Sequence, residues 1–175
     1  MRPGGSSAEP KPLNLELTES GDGASYSGAP REVPAGLARI SLKNGGKAPH
    51  EAQLVRVDGE HSPQEVVQVI GGTEQGGPIP EWLHAAGGVS IAPPGQTATA
   101  VQPLEEGTYH ILDLQGQDPS KGAQATFEVT GGEAGAEPPD APATVTASEY
   151  EFQTSGLKSG QNGSASRTPV RRLTT

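Results

Sequence analysis

Glycine and proline recur 25 and 17 times in 175 residues, so few stretches run long enough for a helix, and the apolar residues between these breaks mostly alternate with polar ones. Leu13, Leu15 and Leu17 share one face of a first strand that ends at Gly21–Gly23. Ala38, Ile40 and Leu42 share a face of a second strand over Leu37–Lys43, closed by the turn Asn44-Gly45-Gly46. A third runs over Ala52–Asp58, with Val55 and Val57 opposed to Arg56. Val89–Ala92, Thr97–Gln102, Thr108–Leu114 and Ala125–Thr130 supply four more. Short strands at this spacing predict an all-β, antiparallel sandwich or barrel.

One segment breaks the two-residue period. Ser62, Pro63 and Glu65 form the capping signature of a short helix that buries Val66, Val67 and Ile70 and stops at Gly71-Gly72. Thr73–Gly88 then reads as a Gly- and Pro-rich excursion around P-E-W-L-H, in which Trp82 and Leu83 form a candidate partner-binding anchor or, alternatively, a plug on the end of the barrel. Residues 1–12 read as a flexible leader and 131–143 as a linker, both without an apolar period. The ends are expected to be disordered.

Composition removes several function classes. A net charge of −9 has the wrong sign for nucleic-acid binding. No window approaches a membrane span, and Met1–Pro10 holds no apolar run that could serve as a signal peptide. With no cysteine, the chain has neither a disulfide nor a thiolate metal ligand. Its serines lack G-x-S-x-G context, its glycine pairs lack a phosphate-loop lysine, and the pair Glu105-Glu106 and the acids Glu32, Glu51 and Asp58 are scattered along different elements. No catalysis is expected.

The stretch V-P-A-G-L-A-R-I-S-L-K-N-G-G-K-A-P-H-E, Val33–Glu51, followed by P-L-E-E-G-T-Y-H-I-L-D, Pro103–Asp113, resembles the cupredoxin-like family of blue copper proteins. In that family a strand ending in N-x-G precedes a histidine ligand, and a G-T-Y strand ends four residues past its tyrosine in a cysteine ligand. His50 matches the first position and Asp113 stands at the second; Leu114–Gln124 contains neither the following histidine nor the methionine. A carboxylate cannot supply the copper–thiolate bond of a blue site. The resemblance therefore implies a seven- or eight-stranded Greek-key sandwich over Leu13–Thr130, a copper-free structural or binding module without cofactor in an extracytoplasmic setting; a monomer with an unidentified protein or small molecule as partner is expected. The alternative is a copper or other metal site, or an electron carrier, built on His50, Asp113 and His84. His84 is otherwise a loop residue and His61 an exposed one, while strand parity sets His110 opposite Tyr109, Ile111 and Asp113, toward solvent or a sheet neighbour.

Val145–Asn162 again resembles the opening of such a domain, which makes 144–175 a truncated and largely disordered second repeat. One permitted coding of Ser164–Thr175, read two bases out of frame, spells R-F-E-N-T-G-P-A-P-H-H and aligns with Ser41–Glu51, which points to a reading-frame change.

Overall fold

The computed structural model describes residues 9–74, 77–116, 118–132, 143–148, 151–156 and 164–167. The chain divides into two compact units, Met1–Pro138 and Pro139–Thr175.

Among its described residues the first unit is an all-β Greek-key barrel of eight strands: β1 (Lys11–Ser20), β2 (Gly23–Ser27), β3 (Glu32–Asn44), β4 (His50–Val57), β5 (Leu83–Ala92), β6 (Thr97–Leu104), β7 (Gly107–Leu112) and β8 (Gln124–Gly132). They hydrogen-bond in the order β2-β1-β3-β8-β7-β4-β5, with β6 also on β3. β3 serves two sheets. Glu32–Ala35 pairs with β8, the register shifts between Pro34 and Ala35, and Gly36 to Lys43 pairs with β6. The expected uniformly antiparallel arrangement is corrected at β3, which runs parallel to both β1 and β8 because the Greek-key crossover brings strands of the same direction together.

Inward-facing side chains build the main core. Leu13, Leu15 and Leu17 meet Ile40, Leu42, Leu54, Ile111 and Phe127, all nearly or wholly buried, and Tyr109 stacks on Phe127 at 5.3 Å. β4 and β7 are buried on both faces. Their outer residues Val55, Val57 and Leu112 form a second cluster with Val66 and Val67 of α1 (Pro63–Glu74). That covering helix explains why Val55, Val57 and Leu112 are buried although they lie on the outer face of the barrel.

The local signals of the helix start are observed: the Ser62 hydroxyl accepts the Glu65 N–H at 3.2 Å. Its end lies beyond the expected stop, because Ile70 packs on the second cluster and carries the helix through Gly71-Gly72 to Glu74. Glycine weakens a helix by only about 1 kcal/mol relative to alanine. The expected excursion is also shorter, since β5 begins at Leu83. Its pairing with β4 shifts register twice, and Gly88 makes this possible: its φ is +117°, and a Cβ there would lie 2.2 Å from the Ala52 carbonyl oxygen. β2 was not expected; only Ala24 and Tyr26 of G-A-S-Y-S mark its inward face, and it forms because the two-residue turn Gly21-Asp22 folds it back on β1.

Lys11 and Pro12, expected in the leader, belong to β1; residues 1–8 and 133–142 lie outside the described set. In the second unit, β9 (Ala143–Ser148), β10 (Glu151–Ser155) and β11 (Ser164–Arg167) form a sheet in the order β10-β9-β11, with both neighbours paired to β9. The expectation of a largely disordered 144–175 also falls on residues 149–150, 157–163 and 168–175, which lie outside the described set.

Candidate functional site

Four inward rows of the barrel end in polar residues at the same mouth. The row Leu13, Leu15, Leu17 continues to Glu19; Ala38, Ile40, Leu42 to Asn44; Leu54, Ala52 back to His50; and Tyr109, Ile111 to Asp113. At these ends the apolar core gives way to a hydrogen-bonded lid.

His50 is its centre. Its Nδ1 lies 2.6 Å from Asp113 Oδ2 and its Nε2 3.0 Å from Glu19 Oε1, so each ring nitrogen faces a carboxylate. The His50 and Asp113 side chains are 10 % and 1 % exposed. Burial opposes a charge on the imidazole, but the hydrogen bonds to Glu19 and then Asp113 outweigh it and raise its pKa above the ordinary value. The Glu19 carboxyl is held down to about 2, chiefly by its bond from His50 and next by the Ala48 N–H that it accepts at 2.9 Å. Below its raised pKa the His50 ring is an imidazolium that donates to two carboxylates at once. Asp113 Oδ1 also accepts from the Glu51 and Gln115 N–H groups, both at 3.3 Å.

The N-G-G turn shapes the same lid. Asn44, fully buried, donates from Nδ2 to the Ala48 and Ala92 carbonyls at 2.8 Å each and accepts the Gly46 N–H at 2.8 Å. A Cβ on Gly46 would lie 2.7 Å from Glu19 Oε1, so the glycine leaves room for the acid to reach His50. From β2 the Tyr26 hydroxyl donates to the Glu51 carbonyl, and burial, reinforced by Asp113 and Glu51, pushes its phenol pKa far up. An open cavity of about 290 Å³ lies over this lid, bordered by Glu19, Asp22, His50, Asp113, Asp118 and Lys121.

Of the expected site residues, the structure brings His50 and Asp113 together and leaves His84 apart. His84 sits opposite Arg56 on β4 whereas His50 sits opposite Ala92, and six residues of strand separate the two by about 20 Å. His84 pairs with Asp58 at 2.8 Å instead. His110 does lie on the opposite face from Asp113, but it is buried: its ring meets Thr126 Oγ1 at 2.8 Å and the His61 carbonyl at 2.7 Å. His61 stacks on Trp82 at 3.7 Å, so it is not a free surface residue. Trp82 and Leu83 are partly buried against the helix-side cluster. Glu19 was missed; the signal was its parity, one acid at the end of a row of inward leucines.

The chain is similar in structure to auracyanin B, with a TM-score of 0.50 at 16 % identity over 69 % of this chain and 88 % of that one. The fold is cupredoxin-like. Auracyanin A, described as a "blue" copper protein from Chloroflexus aurantiacus, aligns with a TM-score of 0.47 at 17 % identity over 68 % of this chain and 99 % of that one. Auracyanin from Roseiflexus castenholzii gives 0.45 at 21 % identity over 67 % and 97 %. No family model and no curated protein sequence matches the chain.

A cupredoxin-like fold raises the question of copper, and the donor set does not fit it. The chain has no thiolate to give. The two nitrogens of an imidazole point away from one another, so Glu19 and Asp113, one on each, lie on opposite sides of the ring and cannot converge on one ion. Among the described residues no group of three or more His, Asp or Glu is placed to hold a metal.

Proposed function

We propose that this chain is a copper-free, non-catalytic cupredoxin-like module in which an acid–imidazolium–acid clasp closes the barrel mouth. The observation that carries this reading is that both His50 nitrogens are engaged by carboxylates, at 2.6 and 3.0 Å. An imidazolium between two carboxylates joins β1, β4 and the end of β7 electrostatically, with no electron to exchange. Its role is structural: it holds the rim of a binding module whose partner is a protein or a small molecule outside the cell membrane. The extracytoplasmic setting is part of this proposal and follows from the resemblance in sequence.

Copper titration of the full chain, followed by visible absorption and thermal shift, tests the reading. A ligand specific to the folded state raises stability by RT ln(1 + [L]/Kd), so a micromolar site gives roughly 4 kcal/mol at millimolar copper. No shift and no absorption band are expected. A stoichiometric band, or stabilisation lost in His50→Ala, would overturn the proposal in favour of a metal site.

A further inference from the structure

We infer that Ala143–Arg167 is the opening of a second module built on the backbone frame of the first, with different groups at its mouth. In the first unit Glu16–Ser20 pairs residue for residue with Ser27–Gly23 across a two-residue turn. In the second, Thr144–Ser148 pairs in the same way with Ser155–Glu151, again with two residues between the strands. The positions correspond at a constant offset: Ser20 and Ser148, Ser27 and Ser155, Gly28 and Gly156 each stand 128 apart, and those two glycines have φ of 82° and 75°. The third strand follows suit. β11 runs parallel to β9 on the edge opposite β10, as β3 runs parallel to β1 opposite β2. Three short strands joined by short connections ordinarily form a meander, with the third beside the second. Both units depart from that default in the same way.

The correspondence also says what the second opening lacks. The position of Glu19 is held by Ala147 and that of Tyr26 by Thr154. Leu17 pairs with Asn44 while its counterpart Val145 pairs with Ser166, so serine takes the place of the clamping asparagine. The frame is repeated and the clasp residues are not. This inference does not depend on the function proposed above.

Paired cysteines test it cleanly, because the chain has none of its own. Full-length V145C/S166C and T154C/S166C variants are oxidised with glutathione disulfide, which accepts two electrons and two protons from the thiol pair to become two glutathiones. N14C/S41C, a parallel pair of β1 and β3, serves as the benchmark. The expected result is that V145C/S166C crosslinks to within a few-fold of the benchmark and at least tenfold more than T154C/S166C. A preference for T154C/S166C, or no crosslink in either while the benchmark closes, would overturn the inference; neither outcome bears on the clasp.

Discussion

His50 Nδ1 lies 2.6 Å from Asp113 Oδ2 across 63 residues of chain, the shorter half of a bridge that Glu19 completes from the other side of the ring. Removing the imidazole strands Asp113, whose side chain is 1 % exposed, without its counter-charge. His50→Ala is expected to lose about 3 kcal/mol, within the range for breaking a buried pair by deleting one partner. Glu19→Gln should lose less, since Glu19 stands toward solvent. Urea unfolding checks both, and equal losses would show that the two halves of the bridge are not graded by burial.

The clasp also sets a pH window. Glu19, depressed to about 2 from 4.5, contributes stability that is present above its unfolded value and is lost as pH falls toward 2. His50, raised from 6.5, contributes stability that is complete below 6.5 and is lost as pH climbs through its folded pKa. Between roughly pH 4.5 and 6.5 both contributions are in place. His110 has the opposite sign: burial lowers its pKa, so its contribution is present above 6.5 and fades as pH falls. NMR titration of the ring nitrogens should therefore show His50 titrating above 6.5 and His110 below it; the reverse order would remove the electrostatic basis of the clasp.

Gly122 has an ordinary backbone conformation, yet a Cβ there would fall 1.9 Å from the Asp113 carbonyl oxygen. Gly122→Ala must displace the segment that carries Asp113 and is expected to cost about 2 kcal/mol, as overpacking in a filled site does. Thermal unfolding measures the loss, and the His50 ring resonances should move with it. A neutral substitution would mean that this loop yields freely.

Gln102 bridges the seam between β6 and β5, accepting the Gly88 N–H at 2.8 Å and donating to the Ala86 carbonyl at 2.5 Å. Gln102→Leu leaves those two backbone groups without their side-chain partner, at a cost of about 1–3 kcal/mol. It also uncovers part of the β5 edge, so self-association should increase in sedimentation velocity runs. A monomer of unchanged stability would show that the amide does not close the seam.

Parity along single strands already told which residues face inward: Leu13, Leu15 and Leu17, then Ile40 and Leu42, then Ile111 and Asp113, because a β-strand turns alternate side chains to one face whatever its neighbours. The same rule placed His110 opposite Asp113. The N-G-G turn and the acid at the cysteine position were equally local, and with the absence of sulfur they were enough to show that a thiolate copper site has no ligand here. What lay beyond local reading depended on partners distant in the chain. Parity gave His110 a face, but only α1 and the Asp58–Ser62 segment made that face an interior. Thr73–Gly88 read as a loop because its glycines look like breaks until β4 lies alongside and uses Gly88 for a bulge.

The clasp divides in the same way. The sequence by itself determined that β1, β4 and β7 each end an inward row with an ionisable residue, a consequence of the two-residue period alone. Only the tertiary structure decided that the three ends meet, and that His84 does not join them. Convergence depends on the Greek-key order and on the register of β4 against β5 and β7, and register is set by cross-strand packing that no single strand contains.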